Sequence, residues 1–360
     1  MGPARDSGNG ATTGSLPPAV VRRGEGALLG QLVGDALGSV VEFSSATIVR
    51  REFPHGVRDI VASPVHRTLA GQPTDDSEMA FALADALVAG GARGFDAGRV
   101  AAHYVQWWRS EPFDCGRTIG RACAAMREAE RAGASLVEAA QGADNGGSLA
   151  NGAMMRQSVL GIWGWCLGLE PLLRAVAEDT RLTHPHPICV ESSTVYVLAL
   201  AGAIREGWDG PAAWRAALKW HRQYGREPRV RSSLEEARDA PPTDFGGLVT
   251  NALQNAFYQA LHARDFETGL VETVSRGQDA DTNGCIAGAL LGAIGGVEAI
   301  GHAWRRTVLA CRPGPGSPRP RPAVYWPGRG PTLANRLLES GQAVARRGIP
   351  ISDVSDTDRI

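Results

Sequence analysis

Asp279-Ala280-Asp281-Thr282-Asn283-Gly284-Cys285-Ile286-Ala287-Gly288-Ala289-Leu290-Leu291-Gly292-Ala293 is the stretch whose reading decides the fold. It carries a helical pattern of small and apolar residues. Gly284, Ala287, Gly288, Gly292 and Ala293 leave room for a neighbouring helix to approach closely. Two carboxylates two residues apart stand before this helix. If the backbone is non-helical there, both can point into one cavity. Asp or Thr at such a position can also cap the helix by accepting from free first-turn N–H groups. Capping explains one of the three polar residues and not their spacing.

A second acidic cluster, Thr74-Asp75-Asp76-Ser77, follows Pro73 and opens another apolar helix that runs through Met79, Leu83 and Leu87 to Ala89. The macrodipole favours acids at a helix N-terminus by about 0.3–1 kcal/mol each, so capping again competes with a ligand role. Two adjacent Asp beside a Thr, mirrored by the later Asp-x-Asp-Thr, favour a shared site. Carboxylate and hydroxyl oxygens suit hard divalent cations. That much negative charge converging on one small site calls for metal, and two ions is the natural reading.

From Gly26 the residues Leu28, Leu29, Leu32, Val33, Leu37, Val40 and Val41 also recur at helical spacing. Asp35 and Glu42 lie seven residues apart, nearly two turns, and so share one stripe with Gly34 and Gly38. A polar stripe on an apolar helix needs a partner or a solvent-filled site. Asp35 is read as a buried hydrogen-bonding residue beside the site. Gly146-Gly147-Ser148-Leu149-Ala150-Asn151-Gly152 is a glycine-rich turn whose N–H groups can cradle an anion. It lacks the Lys and spacing of a nucleoside-triphosphatase loop.

Gly34-Asp35-Ala36-Leu37-Gly38 with Glu42, Thr74-Asp75-Asp76-Ser77, Asn151-Gly152-Ala153-Met154-Met155-Arg156 and Asp279-Ala280-Asp281-Thr282, in that order, resemble the ADP-ribosylglycohydrolase family. The resemblance runs from about Gly24 to about Gly296. It implies a magnesium-dependent hydrolase with two Mg²⁺ (Mn²⁺ as the alternative), held by Thr74, Asp75, Asp76, Asp279, Asp281 and Thr282. The usual fourth residue of the first cluster is Thr; Ser77 keeps the hydroxyl. Glu42 matches the family's mobile catalytic glutamate, and Asp281 stands where one carboxylate could bridge both ions. The substrate implied is ADP-ribose joined through C1″ to a protein side chain, arginine favoured, lying along Gly147, Ser148, Asn151 and His184. Serine-linked or acetylated ADP-ribose, and a retired hydrolase that only binds, stay open. His186, between prolines, is expected to be exposed.

The remaining signals bound the class. With 43% hydrophobic and 21% charged residues in 360, the chain reads as an ordinary globular protein with a substantial core. A net charge of −1 gives no reason to expect nucleic acid or an anionic membrane as partner. No signal-peptide core is seen, so a cytoplasmic location and a monomer are expected. The six cysteines form no CxxC pair and read as free thiols, four of them inside helical patterns. Terpene synthases also carry Asp-Asp clusters in all-α folds, but they need an aromatic-lined cavity, and aromatics are only 6% here. Convincing period-2 alternation is absent, and the expectation is a single compact, orthogonal multi-helix all-α domain over 23–311. Residues 1–22 and 349–360 read as tails, 44–73 as a long loop, 312–332 as a Pro/Gly/Arg-rich loop and 333–348 as a last helix. Further helices are expected near 97–109, 117–131, 153–167, 170–179, 189–205, 211–220, 245–263, 266–275, 283–294 and 297–310.

Overall fold

The computed structural model describes residues 15–348. The parts of the two expected tails at 1–14 and 349–360 lie outside the described residues. Sixteen α-helices form a single all-α domain with no β-strand among the described residues. In order these are α1 (Pro18–Gly38), α2 (Ala46–Glu52), α3 (Asp75–Gly90), α4 (Ala97–Arg109), α5 (Arg117–Ala132), α6 (Leu136–Gly142), α7 (Ser158–Trp163) and α8 (Leu169–Arg181). The second half holds α9 (Pro187–Glu206), α10 (Gly210–Tyr224), α11 (Pro228–Glu236), α12 (Val249–His262), α13 (Phe266–Val274), α14 (Ala280–Gly295), α15 (His302–Ala310) and α16 (Gly330–Arg347).

Helices α1 and α14 form the centre: α1 is buried throughout from Gly26 to Gly38, and α14 from Ala280 to Ala293. They run antiparallel with backbone against backbone. A Cβ on Gly26, Gly30 or Gly34 would lie 2.3, 2.1 or 2.0 Å from the carbonyl oxygen of Gly292, Gly288 or Gly284. A Cβ on Gly38 would meet the Ala280 carbonyl at 2.3 Å. No real side chain tolerates such contacts, so the four-residue glycine spacing on both helices is what permits the approach. The antiparallel pairing brings the C-terminal end of α1 to the N-terminal end of α14. Helix α9 is long and apolar enough to cross a membrane by composition, but 78% of its apolar window is buried inside the domain.

Several elements differ from the sequence expectation. The first helix begins at Pro18, within the segment expected to be a tail, because proline suits a first helical turn. It ends at Gly38, so Glu42 sits on the turn beyond it and shares no helical stripe with Asp35. The expected helix over 153–167 breaks into a 3-10 turn, Met154–Arg156, and the short α7. Helices α2, α6 and α11 bury only one to three residues each, which leaves little periodicity to read. Residues 312–329 are largely irregular, with two 3-10 turns before α16. This segment is nevertheless tied down. Arg321 is buried and places its guanidinium on the Glu78 carboxylate through two 2.7 Å bonds, and Arg329 meets Asp85 at 2.6 and 2.8 Å.

The glycine contact yields the first test. Gly34→Ala, whose new Cβ would strike backbone, should destabilise by about 1–3 kcal/mol, the range for overpacked cores. Gly142→Ala, with nothing within 4 Å of the added carbon, should be neutral or slightly stabilising. Urea unfolding of both variants measures this, and equal stability of the two would refute the backbone-contact reading.

Candidate active site

The N-terminal ends of α3 and α14 meet beside the C-terminal end of α1, and a cavity of about 660 Å³ opens there. That volume suits a small-molecule ligand. Glu42, Asp75, Asp76, Asp114, Asp279, Asp281 and Thr282 all line it. Thr74 Oγ1 lies 3.0 Å from Asp76 Oδ2 and 3.5 Å from Asp281 Oδ2, so the two sequence clusters, about 200 residues apart, share one site. Neither N-terminal residue caps its own helix through its side chain: Thr74 and Asp279 make no such bond. The Asp279 backbone is non-helical, and its Oδ2 accepts from Asn151 Nδ2 at 2.7 Å.

Asp35 does the capping of α3 instead, reaching across from α1. Its Oδ1 accepts from the Thr74 N–H at 2.9 Å and the Thr74 hydroxyl at 3.1 Å. Its Oδ2 accepts from the Ser77 N–H at 3.1 Å and the Ser77 hydroxyl at 2.5 Å. The hydroxyl that Ser77 shares with the usual Thr is therefore spent on Asp35. Asp35 ties α3 to α1 and thereby aims Asp75 and Asp76 into the cavity.

Electrostatically the site is strained. Burial, then the charge of Asp114, raises Asp75 well above the ordinary carboxylate range. Burial with Asp35, and burial with Glu42, do the same for Asp76 and Asp281. Burial lifts Asp279 to about 6 against the Asn151 hydrogen bond, and Asp35 to about 7 against its four bonds. Asp76 Oδ1 is buried without a hydrogen-bond partner. Oxygen-rich, over-charged and incompletely satisfied, these residues fit hard divalent cations.

Two residues that the sequence reading missed belong here. Glu42, His66, Asp114 and Asp281 each bring one ligand-type atom within 4.8 Å of the others. The Glu42 carboxylate is hydrogen-bonded by His66 Nε2, and both are buried. Burial disfavours the His66 imidazolium, but the Glu42 bond and charge, with Asp114, outweigh it and raise the His66 pKa. His66 sits in the long 44–73 segment, whose length was a functional signal. Asp114 stands in the short Pro112–Gly116 connection before α5, where nothing in its pattern set it apart.

The expected ligand-contact residues divide. Asn151, Gly152, Met155 and His184 line the cavity. His184 Nδ1 pairs with the Thr183 hydroxyl at 2.8 Å, and its buried Nε2 has no partner. Burial, with the charge of Arg156, lowers His184 to about 3, so it is neutral. Arg156 turns away and bonds Asp179 and the Gly152 carbonyl. Ser148 is outside the lining, its hydroxyl 2.9 Å from that of the lining residue Thr118, and Gly147 is exposed and also outside it. The N–H groups of Ser148 and Asn151 are committed to Asn145 and Gly247 carbonyls, which reduces the cradle this turn can offer. His186 is half-buried rather than exposed: its Nδ1 accepts from the Ile188 N–H and caps α9. All six cysteines are free. Cys115 reaches the cavity, but burial raises its thiol far above neutrality, so no thiolate nucleophile is present.

Fold and site together define the class: an all-α domain with an acidic cavity, suited to a divalent cation, where three helix ends converge. The ADP-ribosylglycohydrolase family model matches residues 16–341, and the chain belongs to that family. It is thus an enzyme that hydrolyses glycosidic ADP-ribose linkages. The match continues past Gly296 and takes in the Pro-rich segment. The ADP-ribosyl-[dinitrogen reductase] glycohydrolase of Rhodospirillum rubrum is 31% identical over 296 residues, covering 80% of this chain and 90% of that protein. The ADP-ribosylarginine hydrolase Tri1 of Pseudomonas putida is 27% identical, covering 80% and 74%. The human ADP-ribosylhydrolase ARH3 is 25% identical, covering 79% and 88%. A solved structure described as an ADP-ribosylglycohydrolase-related protein complex aligns with TM-score 0.71 at 28% identity, over 90% of this chain and 100% of that one.

The raised carboxyls give a pH-dependent test. A group whose folded pKa exceeds its unfolded value of 3.8 stabilises the fold below that value and loses this contribution as pH rises through the folded pKa. Cation-free protein therefore loses stability through this site between 3.8 and about 7. A divalent cation needs the ionised carboxylates, so its stabilisation grows over the same window. His184, neutral in the fold, acts in the opposite sense at low pH, so the difference between loaded and cation-free Tm is the quantity to measure. That difference should be small near pH 5 and larger near pH 7.5; a pH-independent difference counts against a carboxylate site.

Proposed function

We propose that this protein is a dimetal-dependent hydrolase of mono-ADP-ribosylated protein side chains, with arginine as the favoured attachment, that releases free ADP-ribose. The observation that carries this is the convergence of Thr74, Asp75, Asp76, Asp279, Asp281 and Thr282 from two helix starts, with Asp76 Oδ1 left unsatisfied. The arginine preference rests on the name of the Pseudomonas putida relative, an ADP-ribosylarginine hydrolase.

Two divalent cations, Mg²⁺ or Mn²⁺, held by those six residues would supply Lewis-acid polarisation and a water of lowered pKa. The chain's own groups do the rest. Breaking the bond from C1″ to the side-chain nitrogen builds positive charge on the ribose, which the surrounding carboxylates offset. Water adds its hydroxyl to C1″ and its proton goes to the departing guanidine. Glu42, on a turn at the cavity wall, is placed to move that proton. The neutral His184 offers its free Nε2 to a polar group of ADP-ribose, and Asn151, oriented by Asp279, borders the same space. Gly147 and Ser148, outside the cavity lining, are given no contact in this reading.

Asp281→Asn should abolish cation binding and turnover together, as calorimetry with Mg²⁺ or Mn²⁺ and an ADP-ribose release assay would report. Glu42→Gln should keep cation binding and lose roughly 10²–10⁴-fold in rate, the range for a positioned proton-transfer group. Wild-type protein should release ADP-ribose fastest from the arginine-linked member of a panel of arginine-, serine- and acetyl-linked substrates. Faster release from another linkage would replace the arginine assignment. Release from none would defeat the proposed activity on these substrates.

A further inference from the structure

Glu42 occupies an awkward position. It stands four residues beyond the end of α1, on a turn, and faces Asp75, Asp76, Asp114, Asp279 and Asp281 across the same cavity. Backbone bonds hold the turn itself, with the Phe43 N–H on the Gln278 carbonyl at 2.7 Å and the Val41 N–H on the Gly38 carbonyl at 3.0 Å, but none of them fixes the Glu42 side chain among the acidic groups. The side-chain hydrogen bond the structure gives it comes from His66 Nε2.

His66 is itself placed by a set of contacts that runs to the far end of the chain. Its N–H donates to Ser63 Oγ, and the Ser63 hydroxyl donates to the Ser39 carbonyl at the start of the Glu42 turn. Its imidazole packs near the rings of Phe43 and Phe113, with centroids 6.1 and 5.9 Å away. Its carbonyl accepts from Arg319 Nε at 2.8 Å. The Arg319 guanidinium lies over the Phe113 ring, and its carbonyl accepts from Gln72 Nε2 at 2.8 Å. Pro318 and Pro320 flank Arg319 and restrict its backbone to extended forms. Two residues on, the buried Arg321 anchors the segment to Glu78 of α3 and to Ser110 at the end of α4. Two residues of the Pro-rich segment, Arg319 and Arg321, thus reach three elements beside the cavity: the start of α3, the Phe113–Asp114 loop and the His66 loop.

We propose that His66 is a positioning residue that holds the Glu42 side chain in its place at the cavity, and that Arg319 of the C-terminal Pro-rich strap sets the place of His66. The strap is in this way part of the catalytic apparatus without touching substrate. Its effect on rate rests on the proposed role of Glu42; its effect on the Glu42 turn does not.

Two measurements separate these. Backbone amide exchange over residues 39–44 should quicken at least tenfold in His66→Leu and, to a lesser degree, in Arg319→Ala, while exchange in α1 and α14 stays at wild-type rates. Arg319 is half-buried, so its truncation leaves a folded protein even if His66→Leu does not fold. In the ADP-ribose release assay, His66→Leu should lower kcat by roughly 10²-fold, the scale for a misplaced catalytic group, with KM within about threefold of wild type on the same reasoning. His66→Gln, which keeps an N–H donor, should recover part of the loss. Adding His66→Leu to Glu42→Gln should cost nothing further, because both changes remove the same function. Unchanged exchange over 39–44 in both variants overturns the positioning role. Additive losses in the double variant overturn the claim that His66 acts through Glu42. Quickened exchange in a wild-type background that releases no ADP-ribose leaves the positioning role standing and removes the proposed activity.

Discussion

The close contact between α1 and α14 is the constraint on which the rest of this structure depends. Gly26, Gly30, Gly34 and Gly38 face Gly292, Gly288, Gly284 and Ala280, and the two backbones touch without intervening side chains. The pairing matters most at its lower end. A Cβ on Gly38 would come within 2.4 Å of the Asp281 backbone, so the contact reaches into the active site itself. The register of that ladder sets how far the α1 end stands from Asp279 and Asp281. A helix pair held apart by ordinary side chains would sit 8–10 Å between axes, and Asp35 could then lose its reach to Thr74 and Ser77.

Around this centre the protein concentrates negative charge at three helix ends and stabilises it unevenly. Asp35 is fully satisfied by four donors and serves as a distant cap for α3. Glu78, one turn along the same helix, is neutralised by Arg321 and by Trp107 Nε1. Removing one partner of so buried an ion pair leaves an uncompensated charge, at a typical cost of about 3–5 kcal/mol. Asp75, Asp76 and Asp281 have no such partner and are pushed toward their protonated forms instead. The contrast is functional. Charges that hold the scaffold are paired within the protein, whereas those facing the cavity lack a basic partner, an arrangement that suits a cation.

The cavity wall is built with a similar economy. Arg156, which ends the Asn-Gly-x-x-Met-Arg motif, does not face the ligand space. Its guanidinium is buried with Asp179 and Tyr104, and it bonds the Gly152 carbonyl, so it supports the wall that Asn151 and Gly152 present. The conspicuous charged residue of a motif is here the brace, and its small neighbours are the surface.

Helix density, the two acidic clusters and the small-residue stripe of α14 were legible in the sequence because each is local. A 3.6-residue period and an Asp-x-Asp-Thr spacing need only neighbours along the chain. The family followed from the order of the motifs. What stayed hidden depended on contacts between segments far apart in sequence. Glu42 read as helical because Val40 and Val41 continue the apolar period of α1, yet the helix ends at Gly38 and Glu42 lies on the turn beyond it. His66 lay unremarked in an irregular segment, and Asp114 looked like any residue of a short loop. Residues 312–332 read as a Pro/Gly/Arg-rich loop, although Arg319 and Arg321 hold His66 and Glu78 more than 240 residues away. Periodicity and spacing report what a residue's neighbours allow. Which distant carboxylate an arginine or histidine will meet is decided only when the helices pack, because that pairing is a property of the burial and charge the fold creates.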